Sequence, residues 1–240
     1  MAPTEDSSAS KRSREAEKAG QTKPRQTRDA AATRARILKA AEKEFAKKGL
    51  KGTRIDAIAK RAACNKALIY HYFGSKEDLF SAVLEVTYEK IRAAERKLDL
   101  AHRSPEQAMR ELITFSFDYV SQNPEFISLI NDENMHGGVH VVHSARARDL
   151  NSPLVALIEE ILERGQANGI FRTGVDPVQL YISIASICYF FIANRHTLSA
   201  IFSIPKTREA LDERRQHVIE VILGYLRPAP ERIPPTHVQE

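Results

Sequence analysis

Several features that mark large protein classes are scarce or missing in this sequence. Its two cysteines, Cys64 and Cys188, lie far apart, so neither a disulfide framework nor a zinc-binding spacing can be built from them. Glycine is sparse, and no segment shows the two-residue alternation of a half-buried strand. Leu, Ile and Ala are plentiful instead. The composition therefore predicts an all-α protein, and the cysteine usage suits a reducing cytoplasm.

Signals for membranes, secretion and catalysis are missing too. No apolar segment with a cleavage site opens the chain, and the most apolar run, residues 180–193, is shorter than the roughly 20 residues of a membrane span. The sequence has no Ser/His/Asp order, no Gly-rich phosphate loop and no Glu-x-x-His metal pattern. We therefore expect no membrane partner, no enzymatic activity, no metal and no cofactor.

Charge is distributed unevenly along the chain. Residues 1–80 hold 19 Lys and Arg against 10 Asp and Glu, whereas the remainder is mildly acidic. A basic first third predicts a polyanionic partner, with nucleic acid as the first candidate. Residues 1–32 contain almost no large apolar side chain, which predicts a disordered basic tail. Either this tail is only solvated, or it is an arm that follows DNA phosphates or enters a minor groove.

Caps and apolar spacing predict about nine helices. The first covers residues 33–48 and stops at Gly49, and the second starts at Thr53 as N-cap. Asn65 caps a third helix that ends near Gly74, and Ser75 caps a long fourth helix to about residue 98. Four later starts show a capping residue followed by proline: Ser104-Pro105, Asn123-Pro124, Ser152-Pro153 and Asp176-Pro177. The last helix, about 206–226, precedes a Pro-rich tail over residues 228–240.

The stretch NKALIYHYFGSKEDLF, residues 65–80, indicates what the basic part does. Two short helices joined by a tight turn, behind a bracing helix, predict a helix-turn-helix whose second helix enters the DNA major groove. Ile69 and Phe73 would face the bracing helix, and hydroxyl, basic and small side chains would face DNA. Core packing is the alternative for Tyr70 and Tyr72. The predicted DNA contacts are Thr53, Arg54, Asn65, Lys66, Ala67, Leu68, Tyr70, His71, Tyr72 and Lys76.

Residues 33–85, TRARILKAAEKEFAKKGLKGTRIDAIAKRAACNKALIYHYFGSKEDLFSAVLE, resemble the DNA-binding domain of the TetR family of bacterial repressors. The resemblance implies a DNA-binding domain over residues 33–80, with the helix-turn-helix at about 54–73, and a ligand-binding and dimerisation domain over 81–227. This chain has Ala63, Cys64 and Asn65 where the family usually has Gly-Val-Ser. We expect Ala63 to be tolerated in a turn that avoids the left-handed conformation, and Asn65 to replace the serine cap.

Residues 152–202, SPLVALIEEILERGQANGIFRTGVDPVQLYISIASICYFFIANRHTLSAIF, are similar to the ligand-binding domain of the subgroup with the pyrimidine-utilisation repressor. In that family the last two helices of each subunit form a four-helix dimer interface. The helix from Asp176 is apolar nearly all round, so it needs burial on two sides, and a homodimer would supply the second side. The predicted interface residues are Ile184, Ile187, Phe191, Val218, Val221, Ile222 and Tyr225.

The resemblance also implies a small-molecule effector of unknown identity. Phe115 and Tyr119 lie four residues apart and either line its pocket or pack in the core. The full set of candidate effector ligands is Phe115, Tyr119, Asn131, Asn134, Met135 and Tyr189.

Two further side-chain patterns have alternative interpretations. His136, His140 and His143 have the spacing of a metal site if the helix is continuous, but Gly137 and Gly138 argue for a loop. Cys64 near a helix start is either a redox-sensitive thiol or a small apolar replacement for valine.

Taken with the resemblance, these patterns predict a ligand-responsive, sequence-specific regulator in the cytoplasm, associated with the nucleoid when bound to DNA. It would be a homodimeric repressor that a small molecule releases from a palindromic operator. An activator of the same fold and a sequence-indifferent architectural DNA-binding protein are the alternatives.

Overall fold

The computed structural model describes residues 23–142, 144 and 152–228 of the 240-residue chain. Helices and turns make up this described part, which contains no strand and confirms the predicted all-α class. The chain divides into two compact units, Met1–Val83 and Leu84–Glu240. Residues 1–22 and 229–240, which belong to the predicted tails over 1–32 and 228–240, lie outside the described residues.

Unit 1 contains three helices and the start of a fourth. They are α1 (Lys23–Gly52), α2 (Ile55–Arg61), α3 (Lys66–Phe73) and α4 (Lys76–Glu95), and α4 continues into unit 2. Gly49 leaves helical geometry inside α1 with φ 69°, at the predicted stop. The core of the unit closes around Ile37, Phe45, Ile58, Ile69 and Phe80, and the rings of Phe45 and Phe80 meet edge to face at 5.1 Å.

The first helix starts earlier than the sequence predicted. It begins at Lys23, so residues 23–32 are helical where we expected a disordered tail. Ala30, Ala31 and Ala32 are the strongest helix formers, and adding turns to an existing helix is inexpensive once its core face has fixed the nucleus. Pro24 lies in the first turn, where its missing N–H removes no helical hydrogen bond.

Unit 2 holds the rest of α4 and seven further helices among the described residues. They are α5 (Pro105–Gln122), α6 (Pro124–Met135), α7 (Val139–Val142), α8 (Ser152–Ala167), α9 (Pro177–Ala193), α10 (Arg195–Phe202) and α11 (Arg208–Leu226). The described part therefore has eleven helices instead of about nine. The sequence missed α7, which is a single turn, and α10, which follows α9 after only Asn194.

The four predicted cap-and-proline starts all begin helices, although their caps differ. Ser104 forms a capping box with Gln107, and the Asp176 carboxylate accepts a hydrogen bond from the Gln179 N–H at 2.8 Å. Asn123 makes no side-chain cap for α6, because its Nδ2 donates to the Tyr119 carbonyl at the end of α5. The prediction of an asparagine cap there is wrong, while the predicted helix start is right.

The core of unit 2 is built around α5, which packs against α8, α9 and α11. The largest buried side chains of α5 are Met109, Ile113 and Phe117. From α9, Cys188 is buried in the same core, and burial raises the pKa of its thiol to about 12. That thiol is therefore protonated at neutral pH and acts as an apolar core residue.

One glycine in unit 2 is fixed by close packing. A Cβ on Gly165 of α8 would lie 2.0 Å from the Phe171 ring, so no other residue fits without moving that ring. The next residue, Arg172, donates its backbone N–H to the Leu226 carbonyl at 2.7 Å and places its guanidinium 4.7 Å from the Tyr225 ring centre. The turn after α8 is thus attached to the end of α11.

No single helix in the described ranges is long and apolar enough to cross a membrane; α9 and α10 meet such a criterion only as a pair bent by 70°.

Candidate nucleic-acid interface and effector site

The predicted recognition helix forms as α3, and local side-chain chemistry fixes both of its ends. Asn65 Oδ1 accepts a hydrogen bond from the Leu68 N–H at 2.8 Å, and Gly74 ends the helix with φ 80°. Ile69 is fully buried and Phe73 nearly so, as predicted. At the start of α4, Ser75 Oγ accepts from the Asp78 N–H at 2.9 Å, which confirms that predicted cap. The sequence from 65 to 80 therefore makes two helices joined by a short turn.

Most of the predicted DNA contacts lie on the outside of unit 1. Tyr70 is 47% exposed. The other exposed members of the set are Arg54, Asn65, Lys66, Ala67 and His71, and the half-buried ones are Leu68, Tyr72 and Lys76. The ring of Tyr72 contacts that of His71, with ring centres 5.5 Å apart. The exposed side of α3 thus offers two phenol hydroxyls, an imidazole and an ammonium group, all of which can bind phosphates or base edges.

Thr53 does not have the role that the sequence predicted. Its side chain is only 2% exposed, and its hydroxyl lies 3.0 Å from the Glu44 carbonyl and 2.7 Å from the Gly49 carbonyl. The N-cap position of α2 belongs to Arg54, which makes no side-chain cap. The Thr53 hydroxyl instead donates to two carbonyls at the end of α1, beside the kink at Gly49. It stabilises the start of α2 from inside the unit.

Ala63, in the turn before α3, also differs from expectation. Its φ is 49°, in the left-handed region that we expected this turn to avoid. That region is strained for a residue with a Cβ, which explains why the family usually has glycine here. The turn nevertheless closes normally, since the Cys64 N–H donates to the Ala59 carbonyl at 3.0 Å. Cys64 itself is half-buried, and its role as a replacement for valine stays a prediction.

Three charged contacts that the sequence did not predict hold α2 and α3 in place. Arg36 Nε of α1 donates to the Ala62 carbonyl at the end of α2 at 2.8 Å. The buried Glu44 carboxylate binds Arg61 Nε at 2.8 Å and Lys48 Nζ at 3.1 Å, and the hydrogen bond from Arg61 lowers the pKa of that carboxyl. The Arg34 guanidinium lies 5.0 Å from the centre of the Phe73 ring.

An ion pair joins the two helices of the helix-turn-helix on its exposed side. Lys66 Nζ lies 2.7 Å from Asp56 Oδ1, and both side chains are more than half exposed. A carboxylate on a surface that is predicted to face DNA repels phosphate. Here it also neutralises Lys66, which was predicted to contact DNA.

Comparisons with known proteins agree with this geometry. The family model described as "Bacterial regulatory proteins, tetR family" matches residues 37–83, and the model "Tetracyclin repressor-like, C-terminal domain" matches residues 105–222. The HTH-type transcriptional repressor NicS of Pseudomonas putida is 46% identical over 172 residues, which cover 72% of this chain and 81% of that protein. This chain belongs to the TetR family of bacterial regulatory proteins.

The TetR family is a class of DNA-binding transcriptional regulators and not of enzymes, which confirms both predictions. The repressor SCO4008 of Streptomyces coelicolor is 38% identical over 141 residues, covering 58% of this chain and 69% of that protein. The likeness of residues 152–202 to the pyrimidine-utilisation repressor subgroup stays a prediction.

Solved structures show the same fold. The transcriptional regulator SCO4942 of Streptomyces coelicolor has a TM-score of 0.61 at 24% identity, covering 81% of this chain and 98% of that chain. FadR of Bacillus subtilis in complex with stearoyl-CoA has a TM-score of 0.60 at 16% identity, covering 80% and 99%. At these identities the likeness concerns the fold alone.

The predicted effector residues of this TetR-family chain fall into separate groups of contacts. Phe115 and Tyr119 contact each other with ring centres 5.6 Å apart, and Tyr119 also meets Phe126. Tyr189 donates its hydroxyl to Asn131 Oδ1. Asn134 is exposed and donates to the Ile130 carbonyl of its own helix, and Met135 is 86% exposed. The role of all six residues in an effector site stays a prediction.

The histidine pattern is interrupted as the glycines predicted. Gly137 and Gly138 have φ of 76° and 73° and separate α6 from α7. His140 Nδ1 lies 2.6 Å from the buried Glu133 carboxylate, which also accepts the backbone N–H groups of His140 and Val141. His143 lies outside the described residues, and within the described ones no group of three or more ligands could hold a metal ion. Glu133 therefore serves to attach α7 to α6.

The predicted dimer residues separate into two groups. Ile184, Val218 and Ile222 are buried in the core of unit 2, and Phe191 is also buried but lines an open groove, so contact of these four residues with a second subunit stays a prediction. Ile187 is half-buried, and Val221 and Tyr225 are 43% and 48% exposed. The sequence missed the exposed apolar residues of α9, which are Val178, Ile182 and Phe190. Because α9 is apolar nearly all round, its pattern could not show which side the chain itself covers.

Proposed function

We propose that this chain is a homodimeric repressor that reads a palindromic operator and leaves it when a small molecule binds. The observation that carries this proposal is α3, whose polar side is exposed while Ile69 and Phe73 anchor its other side in unit 1. Tyr70, Lys66 and His71 would contact DNA, and Asn65 would hold the start of the helix. NicS and SCO4008 are named repressors, which supports repression and not activation.

A second copy of the chain would cover the exposed apolar surface of α9 and α11. Val178, Ile182 and Phe190 follow one side of α9 at spacings of four and eight residues, and Val221 and Tyr225 lie on α11. Next to Phe190 an open groove of about 610 Å³ continues past Phe202 and His217. Contiguous apolar surface of this kind marks an interface, and a two-fold dimer buries it on both copies.

Dimerisation would give the spacing that a palindrome needs. Two recognition helices must sit about one DNA turn, roughly 34 Å, apart. An effector that prefers the non-binding spacing by ~100-fold shifts the equilibrium by only about 2.7 kcal/mol. Helix α4 is suited to transmit such a shift, because only two residues separate its start from the end of α3 and because it continues into unit 2. We place this regulation in the cytoplasm, on nucleoid DNA.

Selection of DNA fragments from a genomic pool by the full chain, at about 150 mM salt, tests the proposal. We expect one enriched palindrome with two half-sites. Retention without a motif, lost as salt rises, would contradict specific recognition and would instead favour an architectural DNA-binding protein.

The dimer is tested separately by sedimentation of the F190E and Y225E variants, with E163Q as a control at an exposed position of α8 outside the proposed interface. We expect the two charged variants to sediment as monomers and to lose cooperative operator binding. Dimers in both variants would contradict the interface.

A further inference from the structure

Unit 2 contains a buried arginine with an open hydrogen-bond donor. Arg92 of α4 is 3% exposed. Its Nη1 donates to Glu95 Oε2 at 2.5 Å and its Nη2 to the Tyr181 hydroxyl of α9 at 3.1 Å. Its Nε has no partner among the residues that the structure describes. A buried guanidinium normally has its donors satisfied, so this one has capacity for a further acceptor.

The ionised form of Glu95, the carboxylate that Arg92 binds, is poorly stabilised. Burial raises the pKa of Glu95 to about 7, although the neighbouring Arg92 acts in the opposite direction. Desolvation therefore outweighs the attraction between the two groups. Near neutral pH Glu95 can take up a proton at little cost, and Arg92 then loses its counter-charge.

A cavity of about 50 Å³ adjoins this pair. Its walls are Arg92, Glu95, Arg96, Pro153, Leu154 and Leu157. The volume exceeds what a single water needs. The α4 side of the cavity carries two guanidinium groups and the Glu95 carboxylate, and the α8 side is apolar. Once Glu95 is protonated, this combination suits an organic anion.

Two phenol groups interact with the arginine. The ring centre of Tyr181 lies 5.7 Å from the Arg92 guanidinium, and Tyr88 interacts electrostatically with both Arg92 and Tyr181. Burial raises the pKa of Tyr88, and the nearby Tyr181 and Glu133 raise it further. Its hydroxyl therefore stays protonated and can donate to a ligand oxygen.

We propose that Arg92 binds the carboxylate of a small organic acid, and that the Glu95 carboxylate competes with this acid for the positive charge of Arg92. The Nε and Nη2 groups lie on one edge of the guanidinium, and two parallel donors match the two oxygens of a carboxylate. Glu95 shows that this guanidinium binds a carboxylate, because its own carboxylate already occupies Nη1. This inference rests on the proposed function only in taking the acid as the effector.

Binding of acids and of their uncharged isosteres to the full chain tests the proposal. The probes are butyrate, benzoate and phenylacetate, each paired with its primary amide and titrated calorimetrically near neutral pH. Phenylphosphonate is added as an anion of different geometry. We expect saturable binding of at least one acid, about tenfold or more tighter than its amide and tighter than phenylphosphonate. The inference is overturned if none of the acids binds, or if an acid and its amide bind equally.

Two variants with opposite expected effects separate anion recognition from general damage. R92Q should weaken acid binding about 10- to 100-fold, as the loss of charged hydrogen bonds does. E95Q keeps an acceptor for Arg92 but removes the competing charge, so it should tighten acid binding about 3- to 10-fold. A damaged site cannot explain tighter binding. Weaker acid binding in E95Q would contradict the competition between the two carboxylates.

The matched control is R214Q. Arg214 of α11 also has a buried Nε without a partner among the described residues, but it lies beside Phe191 and does not line the 50 Å³ cavity. We expect unchanged acid binding in R214Q. An effect equal to that of R92Q would mean that the acids bind elsewhere.

The selected DNA fragments distinguish the two proposals. If the chain binds a palindrome but no acid, the repressor remains and the carboxylate site is refuted. If an acid binds through Arg92 but no palindrome is enriched, the site stands and the repressor is refuted. Release of the palindrome by the acid, lost in R92Q, supports both.

Discussion

Lys66 and Asp56 form an ion pair 2.7 Å long across the exposed side of the helix-turn-helix. The pair joins the recognition helix to the helix before it, so a charge that could meet DNA is already neutralised in the free chain. The pair is exposed, so its contribution to stability is small. Its effect should therefore appear in DNA binding.

The D56N variant should bind DNA more tightly. Loss of the carboxylate frees Lys66 for a phosphate, and we expect about 3- to 10-fold higher affinity with a salt slope steeper by about one. Fluorescence anisotropy with the selected palindrome and an unrelated duplex measures both quantities. E163Q, which removes an exposed acid in unit 2, should leave them unchanged. Weaker binding by D56N would show that Asp56 positions Lys66 for its contact.

The Y70F variant should lose a contact to DNA without loss of stability. The Tyr70 side chain is 47% exposed on α3, so its hydroxyl has little to stabilise in the free chain. We expect about 3- to 10-fold weaker operator binding and an unchanged melting temperature. E163Q, which changes an exposed side chain of α8 outside the proposed interfaces, is the control. Equal operator affinity of Y70F and the wild type would remove Tyr70 from the interface.

The A63G variant should be more stable than the wild type. Ala63 has φ 49°, and glycine relieves that strain while gaining some entropy in the unfolded chain. We expect about 1 kcal/mol of net stabilisation in urea unfolding at a fixed protein concentration. A67G, on the exposed side of α3, should instead lose about 1 kcal/mol, because glycine weakens a helix interior. Two losses of similar size would show that the turn is not strained.

The E95Q variant should change how stability depends on pH. The pKa of Glu95 is raised to about 7 in the folded chain. The stability that this carboxyl contributes is therefore fully present below its pKa in the unfolded chain, and it is lost as pH rises through 7. Glutamine does not titrate. The unfolding free energy of E95Q relative to the wild type should therefore increase by about 2 kcal/mol from about pH 5 to pH 8. A constant difference would mean that Glu95 titrates normally.

Local chemistry explains what the sequence could predict. Asn65, Gly74, Ser104 and Asp176 act on backbone groups within a few residues, so their caps and stops could be predicted from short patterns. The buried positions Ile69 and Phe73 followed from helical spacing.

Contacts between distant residues explain what the sequence could not predict. Arg92 and Tyr181 are 89 positions apart, and Arg36 and Ala62 are 26 apart. No short pattern contains such a pair. The burial of Ile184 and the exposure of Phe190 depend likewise on which neighbours cover an apolar helix, which is decided by tertiary packing.

The close contact of Gly165 with Phe171 and the bond from Arg172 to the Leu226 carbonyl set a limit on shortening the chain. Leu226 is fully buried, so a truncation that removes it would open a cavity and also release the turn after α8. A fusion partner or a purification tag is therefore better joined after the end of α11 than within its last turn.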